Sequence, residues 1–351
     1  MDCQHQIRTD VLGQPGDLAV GPPPPPAPHQ ARDGTEPGTP VTGPPPPEPA
    51  EKPPDMTTTT TSTARCDIAV VGESLIDITI GGDCTRERVG GSPALLARSL
   101  RRLGIATTLL TTFGADRHGR ALHGELTRCG VRVVQAGHPA ARTSTVTAHP
   151  DRPDTETVVL SWDLVHTDVP SCDHLHVGSI AVVRAPGADD VARLVSRRHP
   201  DTTISYDVNV RPSAMGPRHI SIVRIDEMIS RSDIVKLSDA DLEWVRPGER
   251  HGDAMRWLMS RGPAIVVVTH GAAGATGYTR SGSVRVRGHR VDIGDPAGVG
   301  DAFMAGLLHA MTGRGLLGRN TSRPLRAIDL DDLRGILHHA NLCAAQAIDV
   351  A

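Results

Sequence analysis

Lysine is nearly absent from this 351-residue chain: Lys52 and Lys236 are the only two, so arginine carries almost all of the positive charge. Neither lysine stands in a glycine-rich loop and no G-x-x-x-x-G-K-[ST] occurs, which excludes a Walker-type phosphate loop. Aromatics are also scarce, with three Trp, two Tyr and two Phe, and the net charge is only −3. A basic stripe interleaved with stacking rings is therefore missing, and nucleic acid is not an expected partner. Six cysteines (Cys3, Cys66, Cys84, Cys129, Cys172, Cys343) are scattered without a C-x-x-C pair, which argues for buried thiols rather than a zinc site or disulfide framework. No apolar run is long enough to span a bilayer, and the opening MDCQHQIRTD lacks the apolar core of a signal peptide. The expectation is a cytoplasmic protein without membrane contact.

Proline is abundant but concentrated: 16 of 29 fall before residue 55, including the runs Pro22 to Pro26 and Pro44 to Pro47. Such a segment builds neither helix nor central strand and has little apolar surface to bury. Residues 1–63 are thus expected to be a disordered, Pro-rich tail, and residues 64–351 one folded domain. Met56, before the polar run TTTTTSTAR, is a candidate translation start.

From Asp67 onward, short β-branched runs alternate with helical spacing. DIAVV (Asp67 to Val71) reads as a buried strand, and Ser92-Pro93 as a helix start for Ala94 to Leu103. Thr107 to Thr112 is a second strand, followed by a helix over His118 to Cys129. Later strands are expected at His174 to Gly178, Thr203 to Asp207, Ile234 to Leu237, Ile265 to Thr269 and Ala275 to Thr279. This rhythm argues for a largely parallel sheet covered by helices. Thr143 to Leu164 breaks it, and reads as a hairpin outside the sheet around Pro150 to Asp154.

The chemistry concentrates in VDIGDPAGVGDAFMAGLLHA, Val291 to Ala310. Glycines at 298 and 300 lead into a helix, whose first-turn N–H groups lack partners and sit at the positive dipole end, so an anion can approach them. Asp301 would stand beside that anion, placed to take a proton from an attacking hydroxyl. A plain glycine turn with a dipole-favoured Asp is the alternative reading of the stretch by itself. Asp207, Asn209 and Arg211 alternate where a strand leaves the sheet, the place where open α/β sheets bind ligands. The loop His270 to Gly274 is not a dinucleotide fingerprint, because no G-x-G-x-x-G opens a helix there, so a dehydrogenase is not expected. His338 and His339, adjacent on the last helix, have no metal-ligand logic.

Gly90-Gly91-Ser92-Pro93-Ala94, Asp207-x-Asn209-x-Arg211-Pro212, the segment Ile234 to Asp239, Thr269-x-Gly271-x-x-Gly274 and Asp295-Pro-Ala-Gly-Val-Gly-Asp301 occur in that order. Together they resemble the ribokinase-like (PfkB) carbohydrate kinase family, and within it the bacterial fructokinases. The resemblance implies an α/β fold, a ribokinase-like three-layer α/β/α sandwich with a mostly parallel central sheet and a small β lid from about residues 78–90 and 143–164. It implies ATP-dependent phosphorylation of a sugar hydroxyl, on fructose or a related sugar. By resemblance Asp301 is the catalytic base and Gly298, Val299 and Gly300 supply the anion hole. Asp77, Gly90, Gly91 and Arg211 would bind the sugar. Asn209, Ser238, Thr269, Gly271, Gly274 and Asn341 would bind the nucleotide, Asp241 would occupy the Mg²⁺-linked acidic position, and K⁺ would bind near Asp295. The lid could also pair subunits into a homodimer. Leu95, Pro296, Val299 and Asp241 depart from the usual signature residues. A family member that has lost catalysis and only binds sugar or nucleotide is the second function class, and the retained Asp301 weighs against it.

Overall fold

The computed structural model describes residues 66–81, 84–138, 142–149, 151–152, 155–165, 168, 170–289, 298–318 and 325–348. The expected tail and Met56 lie outside the described residues.

Strands β1 (Cys66–Val71), β2 (Leu75–Gly81) and β3 (Cys84–Gly90) come first, then helix α1 (Ser92–Arg102) and β4 (Thr107–Thr111). Helix α2 (Arg117–Arg128) leads to β5 (Arg132–Gln135), β6 (Ser144–Ala148), β7 (Thr157–Val159) and β8 (Cys172–Gly178). The short α3 (Ser179–Val183) and α4 (Gly187–Arg197) precede β9 (Thr203–Asp207), and α5 (Pro212–Met215) and α6 (Arg218–Arg231) follow it. Next come β10 (Ile234–Ser238), α7 (Asp239–Val245), α8 (His251–Ser260), β11 (Ile265–Thr269), β12 (Ala275–Thr279) and β13 (Gly282–Val286). Helices α9 (Val299–Gly313) and α10 (Leu330–Ile348) complete the described chain.

Nine strands form one sheet in the order β13-β12-β11-β10-β9-β8-β1-β4-β5, parallel except for β12 and β13 at one edge. A parallel sheet must be covered on both faces, which is why its strands read as continuous apolar runs such as Ile265–Thr269. One face packs on α1, α2, α9 and α10 around Leu100, Leu126, Leu307 and Ile336. The other packs on α4, α6, α7 and α8 around Leu194, Ile225, Leu242 and Leu258. Three layers result, as the alternation predicts. Helix α9 is buried almost all round, and at Gly306 it passes so close to α10 that a Cβ would lie 2.9 Å from the Cα of Ala340.

The second sheet, ordered β3-β2-β6-β7, is the expected lid. Its first part, the expected 78–90 stretch of the lid, begins earlier and is two strands, β2 and β3, antiparallel from Leu75↔Gly90 to Gly81↔Cys84. Helix α6 and strands β5 and β13 are likewise additions to the predicted elements. Ser92 does not cap α1. The cap position falls on Gly91 with no side-chain bond, and the Ser92 hydroxyl is directed elsewhere.

Candidate active site

The cavity that gathers the motif residues lies at the carboxyl ends of β1, β8 and β9, beneath the lid, and encloses about 250 Å³. Asp301, Gly298, Ser92 and Gly91 border it from the helix layer, Glu73, Asn209 and Arg211 from strand ends, and Asp77, Val146 and Val158 from the lid. Asp77 and Gly298 also border a more open cavity of about 310 Å³ between lid and α1. A larger cavity of about 330 Å³ around Cys172, Arg197 and Thr202 is at the opposite strand ends and touches none of the motif residues. Position along the strands favours the first as the reaction site, since open α/β sheets bind ligands at carboxyl ends.

Two glycines make the floor possible. Gly91 has φ 89, and a Cβ there would lie 2.7 Å from the carbonyl oxygen of Glu73. Gly298 caps α9 with φ 81, in the left-handed region. The first intrahelical bond is Ala302 N–H to Gly298 O at 2.9 Å, so the amides of Val299, Gly300 and Asp301 precede the helical ladder. These are donors an anion can use. Gly90, paired with Leu75, lets the Asp77 carboxylate pack on bare backbone, because a Cβ would stand 2.2 Å from Asp77 Oδ2.

Asp301 is 8% exposed and accepts a hydrogen bond of 2.5 Å from the Ser92 hydroxyl, across 209 residues of sequence. Burial pushes its carboxyl up to about 7, an effect that Ser92, Lys236 and Arg211 oppose and Asp207 reinforces. Glu73, 1% exposed, is pushed up by burial to about 8, although its own amide and that of Ala181 stabilise the charged form. Asn209 and Ser179, the two non-glycine residues with positive φ among those described (38° and 51°), both line the cavity. They are linked, with the Ser179 hydroxyl donating to Asn209 O at 3.1 Å. Backbone strain of this kind persists where surrounding structure imposes it, often at ligand sites.

Sequence reasoning misses two of the buried charged groups here. Lys236 on β10 donates to Asp207 Oδ2 at 2.8 Å, deep in the sheet. Glu73 stands out in the sequence only as a loop residue. No periodicity marks either one, and the one available signal is the rarity of lysine itself.

Asn209, assigned to nucleotide, instead lines this cavity, while the other residues assigned to nucleotide form a neighbouring group. Ser238 and Thr269 are register partners at the ends of β10 and β11, and Gly271 opens a 3₁₀ turn that ends at Gly274. Asn341 donates to Arg287 O at 3.3 Å, and Arg287 lies against Gly274. Ser238 itself caps α7 in a reciprocal box with Asp241. Asp241 accepts from Ser238 N at 2.7 Å on one oxygen and from Val210 N at 2.7 Å on the other. Its carboxylate therefore clamps two loops together. Among the described residues no three His, Cys, Asp or Glu side chains form a metal site. Asp295 and Pro296 lie outside the described residues. His339 bonds His309 of α9 at 2.9 Å, a contact between helices that adjacent histidines do not suggest.

The mostly parallel sheet covered by helices on both faces and the β lid define the class: an α/β protein with a lidded cavity at the carboxyl ends of its strands. The chain belongs to the pfkB carbohydrate kinase family, whose family model matches residues 65–349, and it is an ATP-dependent sugar kinase. It is 32% identical over 284 residues to a fructokinase of Rhizobium leguminosarum bv. trifolii, covering 76% of this chain and 85% of that protein. A fructokinase of Escherichia coli is 28% identical over 297 residues, covering 80% and 92%. Among solved structures, the fructokinase with bound ATP from Xylella fastidiosa matches at TM-score 0.69 and 21% identity, covering 80% and 92%. The Vibrio cholerae O395 fructokinase in fructose, ADP and calcium ion bound form matches at 0.68 and 23%, covering 82% and 93%. No described helix is long and apolar enough to cross a membrane.

Proposed function

We propose that this kinase transfers the γ-phosphoryl group of ATP to a hydroxyl of fructose or a closely related sugar, with Asp301 as general base. The observation that carries this reading is the position of Asp301, at the floor of a lidded polar cavity and in the first turn of α9. A cavity of about 250 Å³ suits a ligand of monosaccharide size better than a drug-sized one. The fructose assignment rests on the fructokinase relatives.

Asp301 takes the proton of the attacking hydroxyl. The Ser92 hydroxyl, donating to Asp301 Oδ1, fixes the carboxylate so that its other oxygen is offered to substrate. Burial keeps this base near neutrality, where proton transfer is efficient. Amides of Gly298, Val299 and Gly300 receive the oxygens of the transferring phosphoryl, whose charge is spread over them in flight. Val299 keeps its N–H, so its departure from alanine leaves the donor set whole. Asp77, Gly90, Gly91 and Arg211 hold the sugar, while Asn209, Ser238, Thr269, Gly271, Gly274 and Asn341 position the nucleotide. The described residues form no cage for Mg²⁺, and Asp241 is engaged by backbone amides, so a divalent ion would be held chiefly by the phosphates. The lid excludes water from the reaction. Its exposed Ile80 and Val159 also offer a contact for a second copy, which sedimentation analysis would test.

A coupled ADP-release assay over a panel of ketoses, aldoses, sugar acids and nucleosides tests the reading, with Asp301→Asn as control. Turnover is expected first with fructose. Binding of sugar or ATP, seen as thermal stabilisation, without turnover above the control would replace the kinase reading with that of a binding module. Because the base must be ionised, kcat/KM is expected to rise with pH through about 7.

A further inference from the structure

We propose that the buried Lys236–Asp207 pair is a positioning device of the phosphoryl-transfer centre: Lys236 fixes a positive charge against the first turn of α9, and Asp207 keeps that charge from closing onto Asp301. The proposal rests on the kinase reading with Asp301 as base.

Geometry is the first argument. Lys236 and Asp207 are register partners on adjacent parallel strands, so their side chains leave the sheet on the same face. That face carries α9. A Cβ built on Gly300 would stand 3.4 Å from Lys236 Nζ, which puts the ammonium against the second residue of the helix. Lys236 is 4% exposed, and its Nζ reaches Asp207 Oδ2 at 2.8 Å.

The second argument is energetic. A helix N-terminus carries roughly half a positive charge, so a neighbouring ammonium opposes the dipole rather than complementing it. Buried ion pairs add little net stability, because desolvation cancels most of the attraction. Neither the helix nor the core gains from this placement. An incoming anion at the helix end does gain, because it meets the dipole and a full charge together in a site of low dielectric.

Composition is the third. The chain holds 37 basic residues of Lys and Arg, two of them lysine, leaving 35 arginines. At this one described position the residue is lysine, whose compact ammonium fits under Gly300 where a planar guanidinium fork needs more room.

The surroundings explain why Asp207 is needed. Lys236 is faced by Asp207, Asp241 and Asp301, and His176 from β8 also feels its charge. Asp301 is faced by Asp207, Lys236 and Arg211, and by Glu73. With Asp207 neutral, Lys236 is left facing Asp241 and Asp301, and because Asp241 is held by the Ser238 and Val210 amides, a closed pair of Lys236 with Asp301 would take the base out of use.

The test compares wild type with Lys236→Met, Asp207→Asn and the double variant, all in the full chain, by thermal melting and by pH profiles of kcat/KM on the best sugar. For Lys236→Met the midpoint of the profile is expected to move up, and for Asp207→Asn down. In both, kcat falls about 10²-fold while the sugar KM stays within about threefold. The double variant removes both charges with near-isosteric groups and is expected to melt like wild type yet keep the low kcat. Recovery of wild-type kcat in the folded double variant would show a merely structural pair and overturn the proposal. Unmoved midpoints in both single variants would do the same. Absence of turnover in wild type on every sugar would instead remove the kinase reading itself.

Discussion

Two clusters of buried polar side chains share the α9 face of the main sheet, and they solve burial differently. In mid-strand, His174 uses both ring nitrogens, to Thr203 Oγ1 at 2.8 Å and Ser205 Oγ at 2.7 Å, and His176 joins the same serine at 2.8 Å. Burial holds both imidazoles well below their ordinary pKa, so this cluster is neutral and satisfied within itself. At the carboxyl ends of the strands, Asp207, Asp241 and Asp301 face the single Lys236, Glu73 and Arg211 stand beside Asp301, and Glu73, Arg211 and Asp301 open onto a cavity. Burial of polar groups therefore does not mark the site by itself. Unbalanced charge beside a cavity does, because such an arrangement costs stability and gains only when a ligand completes it.

The comparison can be broken or sharpened by substitution. Asp301→Asn should have the largest effect, lowering kcat/KM by about 10³–10⁴-fold as expected for loss of a general base. Its melting temperature at pH 8 should equal or exceed that of wild type, since a buried charge is removed. Destabilisation by Asp301→Asn would place Asp301 in the structural class with the histidines. For His174→Leu the reverse is expected: a loss of about 1–3 kcal/mol in urea unfolding, because Thr203 and Ser205 lose a buried partner, with unchanged kcat per folded molecule. A large kcat loss there would erase the distinction between the clusters.

Glu73→Gln sharpens the charged side of the comparison. The folded carboxyl holds its proton up to about 8 against an ordinary value of 4.5, so between these limits the native state binds more protons than the unfolded chain. Stability thus falls as pH rises through that window, by at most about 1.4 kcal/mol per pH unit for one group. The glutamine variant should flatten this slope in melts taken from pH 5 to pH 9. The smallest effect is expected at the lid, where Ser213 donates to Glu156 Oε1 at 2.8 Å in an exposed position. Ser213→Ala should cost under about 1 kcal/mol and raise the sugar KM about two- to threefold, measured by initial rates.

Much of the architecture is legible because local physics encodes it. Runs such as Ile265–Thr269, short, β-branched and bounded by turn residues, read as doubly covered strands, and Gly298 before an apolar helical stretch reads as a helix entry. Helix α6 escapes a sequence reading because Ser221, Arg224, Asp226 and Glu227 interrupt its apolar positions and two of these, Ile220 and Val223, face solvent. Ser92 reads as a cap because Ser-Pro is a strong local signal. The left-handed Gly91 shifts the cap back one residue, and the serine is then free to serve Asp301.

What the sequence by itself determined is the alternation of strands and helices, the family, and the glycine-led entry to α9 with Asp301 in its first turn, since each depends on residues adjacent along the chain. Only the tertiary structure decided that Ser92, Glu73 and Lys236 converge on that aspartate and that Asp207 holds the lysine. Their contacts join strands and helices far apart in sequence, and the charge of a carboxyl depends on the dielectric and neighbours that folding brings to it.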